Sequence, residues 1–163
     1  MEIKSELTNK SGQIIKVVYR EADPNVDLGE ARLQGVHAFC FCGDKMLVVY
    51  AKNKGYWTPP GGGREPRETY QEAVVREVKE ETNMRVIHQE LIGYQDVYEL
   101  DGRVNRQVRS FCIVEPYGEF THDPDGDITE IKLIDPQDYK KYFDWGEIGE
   151  RIMQVALGIK AKA

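Results

Sequence analysis

The strongest constraint on the fold comes from a predicted helix, from about Tyr70 to Thr82, whose apolar side carries acidic residues. Thr69 and Glu72 have the spacing of a capping box, which indicates where this helix begins. At about 100° per residue, one sector of the helix brings apolar side chains together with three carboxylates: Tyr70, Ala73, Val74, Met84, Glu77, Glu80 and Glu81. Like charges at this spacing repel each other, and burial raises the cost. The pattern therefore requires a counter-charge, unless the carboxylates form an ordinary solvated face.

Two further features favour a bound cation over a solvated face. Arg76 supplies one positive charge against three carboxylates, whereas a hard divalent cation with oxygen ligands would balance them. Immediately upstream, two prolines precede Gly61–Gly63, a segment predicted to be a loop. Its glycines leave room for the backbone to approach a ligand or metal closely. Mg²⁺ is the predicted ion, with Mn²⁺ as the alternative.

The stretch from Gly62 to Met84 resembles the signature of the Nudix hydrolases. That signature is a glycine, five residues, a glutamate, seven residues, and then Arg-Glu-aliphatic-x-Glu-Glu-x-Gly-aliphatic. The positions that match it in register are Gly62, Glu68, Arg76, Glu77, Val78, Glu80, Glu81 and Met84. Asn83 stands where the family usually has glycine, and asparagine is the next best residue for a left-handed helix C-cap. Trp57 also fits the Trp-x-x-Pro-Gly-Gly sequence that usually precedes the signature.

The resemblance implies roles for individual residues. The metal ligands expected from it are Glu77, Glu80, Glu81 and the carbonyl of Gly61. Glu77 is also a candidate for accepting the proton of the attacking water, and Arg76 and Glu68 are expected to pair and orient the helix and the loop. Family members often add a later acidic base or ligand, and the residues competing for that role are Asp123, Asp125, Asp127 and Glu130. Asp127 and Glu130 are retained as the candidates, and no residue is assigned to binding the rest of the substrate.

The remaining pattern predicts a sheet between helices. Strands are predicted at 14–19, 36–41, 46–50, 91–100, 108–114 and 128–134, with a turn at Gly43-Asp44. A second long helix is predicted from about Trp145 to Leu157, and Asp135-Pro136 predicts the start of a short one. We therefore expect a single α/β domain over residues 1–163, similar to the Nudix α/β/α sandwich with its mixed central sheet.

Composition limits the partners and the location. The net charge of −6 disfavours nonspecific binding to nucleic acid or to an anionic membrane, and no apolar run is long enough to span a bilayer. The N-terminal segment lacks the apolar core of a signal peptide, which predicts a cytoplasmic protein. Three cysteines, Cys40, Cys42 and Cys112, lie in apolar runs and are predicted to be reduced. The partner expected is a small nucleotide, bound by a monomer or a homodimer.

Other polar and aromatic residues carry weaker signals. The histidines lack ligand spacing and are predicted to be packing or surface residues: His37, His88 and His122. Tyr94 and Tyr98 could stack on a base, but packing within the sheet is favoured.

The function implied by the resemblance is metal-dependent hydrolysis of the pyrophosphate bond in a nucleoside diphosphate linked to another moiety. The favoured substrate is an ordinary or oxidised nucleoside triphosphate, giving nucleoside monophosphate and pyrophosphate. The alternatives are ADP-ribose, a nucleotide sugar or a dinucleoside polyphosphate. A different class of function, a nucleotide-sensing module without catalysis, stays open at this point.

Overall fold

The computed structural model describes residues 1–163, which form nine strands and two α-helices. The strands are β1 (Glu2–Thr8), β2 (Ile14–Arg20), β3 (Ala31–Cys42), β4 (Lys45–Ala51), β5 (Tyr56–Thr58), β6 (Gly61–Gly63), β7 (Met84–Tyr98), β8 (Val104–Pro116) and β9 (Ile128–Ile134). The helices are α1 (Tyr70–Thr82) and α2 (Gly146–Lys162), with a short 3-10 helix at Pro136–Lys141 between β9 and α2.

All nine strands belong to one sheet with the order β1-β2-β7-β8-β3-β4-β5, and β6 and β9 pair with β3 and β4 respectively. The neighbours β3 and β8 run parallel, whereas every other pair is antiparallel. The sheet is therefore mixed, and the predicted α/β fold class is confirmed.

Each face of the sheet is covered by one long helix. On one face, Val74 and Val78 of α1 pack with Cys40 and Val108. On the other face, Ile152 of α2 packs in a cluster of aromatic and aliphatic side chains that includes Phe39, Phe41 and Phe111. The first of these cores fixes α1, and hence its carboxylates, against the sheet beside β3 and β6.

The predicted elements agree with the structure where their signals are local. The helix predicted at 70–82 and the strand predicted at 128–134 have the observed bounds. Thr69 and Glu72 form both hydrogen bonds of the capping box, at 3.1 and 3.0 Å. Asn83 has φ 55° and ψ 38°, and its N–H donates to the Lys79 carbonyl, so the left-handed C-cap is confirmed.

Three strands were missed, and one of them corrects the prediction for the glycines. Gly61–Gly63 is a strand, β6, paired antiparallel with β3, rather than a loop. A Cβ on Gly61 would lie 2.1 Å from the Val36 carbonyl oxygen, so this pairing depends on glycine. The other missed strands are β1 and β5, and α2 begins one residue later than predicted and runs on to Lys162.

No helix in the structure has both the length and the apolar character needed to cross a bilayer. All three cysteines are unpaired: Cys40 and Cys112 are buried, and Cys42 is partly buried.

Candidate active site

The C-terminal half of α1 and strand β6 bring two acidic side chains into a protected position. Glu77 and Glu81 are each 8% exposed. The Gly61 N–H donates to the Glu81 carboxylate at 2.9 Å. A Cβ on Gly62 would lie 2.7 Å from the Glu77 carboxylate, so any larger residue there would have to displace the end of the Glu77 side chain. The glycines thus make room for the carboxylates as well as for the neighbouring strand.

Arg76 links these carboxylates to the loop before the helix. Its Nε and Nη2 donate to both oxygens of Glu68 at 2.8 and 2.9 Å, and Nη2 also donates to the Gly63 carbonyl at 2.8 Å. Its Nη1 donates to Glu77 at 2.8 Å and to Glu80 at 3.3 Å. The hydrogen bond from Arg76 is the main cause that lowers the pKa of Glu68. The predicted pair is therefore formed, and it ties α1 to β6 and to the preceding loop.

The buried carboxylates are electrostatically costly. Burial raises the pKa of Glu81 to about 8, and the nearby charges of Glu77 and Asp123 add to this, against the opposing hydrogen bond from Gly61. Burial also raises the pKa of Glu77, although Arg76 opposes that shift. The single guanidinium is shared with Glu68 and Glu80, so it leaves Glu81 without a cationic hydrogen-bond partner.

The third glutamate of the helix takes a different position. Glu80 contacts Arg76 and does not line the cleft beside Gly61, whereas Glu77 and Glu81 do. No group of three or more His, Cys, Asp or Glu side chains is spaced to hold a metal ion. The donor set still suits a hard divalent cation, because two buried carboxylates with excess negative charge lie on the same helix as a third, the partly buried Glu80.

The later acidic residues separate into two groups. Asp125 and Asp127 line the same cleft as Glu77 and Glu81, and Asp127 accepts a hydrogen bond from Asn53 at 2.7 Å. Asp123 is buried and accepts from the backbone N–H groups of Asp125 and Ile128, so it holds its own loop together. Glu130 is exposed on β9 and does not line the cleft.

Two adjoining clefts open at this site. The first, about 340 Å³, contains the carboxylates and the backbone of Gly61–Gly63. The second, about 590 Å³, lies between the sheet and the start of α2, and it shares His37, Lys54 and Thr58 with the first. These shared residues, and Arg109 and Trp145, which line the second cleft, were not predicted from the sequence to bind a ligand.

The other residues singled out in the sequence lie elsewhere or serve packing. His88 and His122 are exposed and line neither cleft. Tyr94 is buried beneath the Arg106 guanidinium, at 3.9 Å from ring centroid to Cζ. Tyr94 and Tyr98 line a separate cleft of about 550 Å³ that shares no residue with the first two and contains none of the predicted ligands.

Comparison with known proteins gives the family. The profile of the NUDIX domain matches residues 31–154. YvcI, named an uncharacterized Nudix hydrolase of Bacillus subtilis strain 168, is 38% identical over 50 residues, which cover 31% of this chain and 32% of YvcI. YtkD of the same organism, described as a candidate 8-oxo-dGTP diphosphatase, is 42% identical over 62 residues, covering 38% of this chain and 39% of YtkD. The aligned segments thus span only about a third of each curated relative.

The fold is also shared with solved structures. The B. subtilis pyrophosphohydrolase BsRppH superimposes with a TM-score of 0.72 at 21% identity, covering 96% of this chain and 97% of that one. An Ap4A hydrolase of C. elegans superimposes with a TM-score of 0.62 at 19% identity, covering 81% and 100%. The family match covers most of the chain and includes the signature helix, so the chain belongs to the NUDIX family, whose hydrolases act on phosphoric anhydrides and generally use divalent metal ions.

Proposed function

We propose that this chain hydrolyses the pyrophosphate bond of a nucleoside triphosphate, ordinary or oxidised, to give nucleoside monophosphate and pyrophosphate. The observation that carries the proposal is the pair of buried carboxylates, Glu77 and Glu81, held beside Gly61–Gly63 in a cleft that continues into a larger one. The similarity to YtkD supports an oxidised purine nucleotide as one member of the substrate class. A bond cleavage of this kind requires charge neutralisation, positioning and an activated water.

The cofactor of this proposal is Mg²⁺, with Mn²⁺ as the alternative. The residues that would hold it are Glu77, Glu80, Glu81 and the Gly61 carbonyl. When bound, such an ion neutralises phosphate charge and lowers the pKa of a coordinated water. Glu77 is the proposed proton acceptor, because its raised pKa brings it closer to the pH at which a general base works well. Arg76 and Glu68 hold the helix and β6 in register, so their proposed role is positioning.

Among the later acids, Asp127 is the proposed assistant. It lines the cleft, whereas Glu130 does not, although both were candidates from the sequence. Asp127→Asn should therefore lower kcat more than Glu130→Gln, which serves as its matched control. Equal effects of the two substitutions would remove this assignment.

The test of the function is a substrate panel with product analysis. Nucleoside triphosphates, ADP-ribose, nucleotide sugars and dinucleoside polyphosphates are incubated with Mg²⁺ in ¹⁸O-labelled water, and the products are identified by mass spectrometry. The proposal predicts nucleoside monophosphate and pyrophosphate, with one ¹⁸O in one of them. Chelator and Glu81→Gln should abolish turnover, while Glu147→Gln, an exposed glutamate of α2, should not.

Two outcomes would change the conclusion. Turnover confined to ADP-ribose, a nucleotide sugar or a dinucleoside polyphosphate would move the chain to one of those alternatives. Tight nucleotide binding with no product under any condition would favour the sensing module. The cytoplasmic location, the single domain over residues 1–163 and the monomeric or homodimeric state stay predictions of the same proposal.

A further inference from the structure

Arg109 is a buried cation with only neutral partners. It lies on β8, is 3% exposed and lines the larger cleft. Its Nη2 donates to the Gln107 side-chain carbonyl at 3.1 Å, and its Nη1 lies 3.0 Å from His37 Nδ1. Its Nε is buried and has no hydrogen-bond partner. The ring of Trp145 lies 5.1 Å from the guanidinium carbon, which helps to hold its orientation.

Arg106, another buried arginine on the same strand, shows how a buried guanidinium charge is compensated. Arg106 is 2% exposed, and both oxygens of Asp96 accept its hydrogen bonds at 2.8 and 3.0 Å. Three backbone carbonyls, of Pro24, Val26 and Asp27, accept the rest. Arg106 is therefore a satisfied structural residue, whereas Arg109 lacks both the counter-charge and one acceptor.

The partners of Arg109 cannot supply the missing charge. Arginine only donates hydrogen bonds, so His37 Nδ1 must accept and its proton must lie on Nε2. Neither a histidine ring nor a glutamine amide carries a negative charge, so neither partner supplies a counter-charge. Burial lowers the pKa of Arg109 to about 10, so the guanidinium stays protonated at neutral pH. An uncompensated buried charge is costly, and an anionic ligand would offset that cost.

The position of the cleft indicates which anion fits. It shares His37, Lys54 and Thr58 with the cleft of Glu77 and Glu81, so one elongated ligand can occupy both. Lys54 adds a second positive charge at the junction. The carboxylates that line the larger cleft, Glu6 and Asp144, are exposed and make no ion pair with Arg109.

We propose that Arg109 binds the γ-phosphate of a nucleoside triphosphate, the second phosphate beyond the scissile bond, which selects nucleoside triphosphates over nucleoside diphosphates that carry a neutral sugar in its place. This inference rests on the proposed function, because it names the substrate class of the same site. Gln107 and His37 orient the guanidinium as neutral acceptors, so the charge remains available to the ligand.

Two substitutions test the role of the charge. Arg109→Gln removes it, and Gln107→Glu places a carboxylate of nearly the same shape beside it, which supplies the counter-charge from within the protein. Both should weaken binding of inorganic tripolyphosphate in Mg²⁺ by about 10- to 100-fold in isothermal titration calorimetry, as expected for loss of a charge-assisted hydrogen bond. Arg103→Gln, an exposed arginine paired with Asp101, is the matched control and should bind as wild type does. Gln107→Glu should also raise the thermal midpoint, which shows that the fold is intact.

Hydrolysis gives the second readout. Both substitutions should lower kcat/KM for GTP at least about tenfold more than for GDP-mannose, with similar losses for purine and pyrimidine triphosphates. Unchanged tripolyphosphate affinity in both variants, or equal losses on the two kinds of substrate, would overturn the inference. A loss confined to guanine nucleotides would overturn it in favour of base recognition. If the wild type hydrolyses no nucleotide, the proposed function fails, and the tripolyphosphate titration still decides the role of Arg109.

Discussion

Replacing Glu81 with glutamine should make the metal-free protein more stable and catalytically inactive. The Glu81 side chain is 8% exposed, and the Gly61 N–H is its hydrogen-bond donor. Glutamine has nearly the same shape and its carbonyl oxygen can accept the same hydrogen bond. The substitution therefore removes the charge while retaining the local packing, so its effect on stability reports the cost of burying that charge.

The direction and size of the effect follow from the pKa of Glu81. In the folded protein burial raises this pKa from its ordinary value of 4.5 to about 8. The native state then binds the proton more tightly than the unfolded state, so the free energy of unfolding falls as pH rises through this interval. At about 1.4 kcal/mol per pH unit, this interval sets an upper bound of about 5 kcal/mol on the loss of unfolding free energy. Structural relaxation and water entry reduce this, and about 2–4 kcal/mol is expected.

Urea unfolding in the presence of chelator measures this directly. Between about pH 5 and about pH 9, wild type should lose about 2–4 kcal/mol of unfolding free energy relative to Glu81→Gln, whose amide does not titrate. Glu147→Gln should follow wild type. Mg²⁺, Mn²⁺ or Ca²⁺ should stabilise wild type most at high pH, because each binds the ionised carboxylate of the native state. Parallel profiles for wild type and Glu81→Gln across the whole range would refute the reasoning.

Three substitutions test other contacts of the site. Gly62→Ala would place a methyl carbon 2.7 Å from the Glu77 carboxylate, so initial rates should fall at least about tenfold; wild-type rates would show that the carboxylate can move freely. Arg76→Lys keeps the charge but loses the bidentate contact with Glu68, so kcat should fall at least about tenfold. The free energy of unfolding, measured in urea, should fall by only about 1–2 kcal/mol. Asn83→Val should lower the free energy of unfolding by about 1 kcal/mol or more, and Asn83→Gly should be tolerated; equal stability of the two variants would contradict the role of the left-handed cap.

The signature helix could be predicted closely because its signals are local. Its first residue is set by the capping box of Thr69 and Glu72, and its end by the positive φ of Asn83. Both depend on residues within one turn of the helix ends. The burial of Glu77 and Glu81 also followed from the helical period, because Ala73, Val74 and Val78 pull the same side of the helix onto the sheet.

The strands that were not predicted from the sequence depend on contacts that leave no local pattern. In β1 only Ile3 is buried, so the strand shows no alternation of apolar residues, and it is defined by its pairing with β2. Glycine has little intrinsic strand preference, and β6 forms because β3 offers backbone partners at Gly35–His37. Such pairings are set by tertiary structure and leave no local signal. The orientation of Glu80 toward Arg76 has no local signal either. The helical period places three glutamates in one sector but does not determine which of them Arg76 contacts.

Unlike these strand pairings, Arg109 does have a local signal in the sequence. It interrupts the apolar strand β8, next to Ser110 and Phe111, and a charged residue in a central strand needs a partner or a function. Arg106 interrupts the same strand, and only the structure shows that Asp96 compensates one of the two arginines. Neither arginine was singled out from the sequence, and the sequence alone does not distinguish the structural arginine from the one that lines the cleft.

The two adjoining clefts have opposite electrostatic needs, and this bears on how a substrate would be held. The cleft of Glu77 and Glu81 has excess negative charge, which a divalent cation would balance. The cleft of Arg109 has a positive charge without a counter-ion, and Lys54 lies where the two meet. A nucleoside triphosphate bound with its metal ion carries both charges in one ligand, with the cation near the scissile bond and a phosphate beyond it. Neither charge alone would satisfy both clefts, so the charge distribution of the protein matches the metal–nucleotide complex better than it matches the free nucleotide.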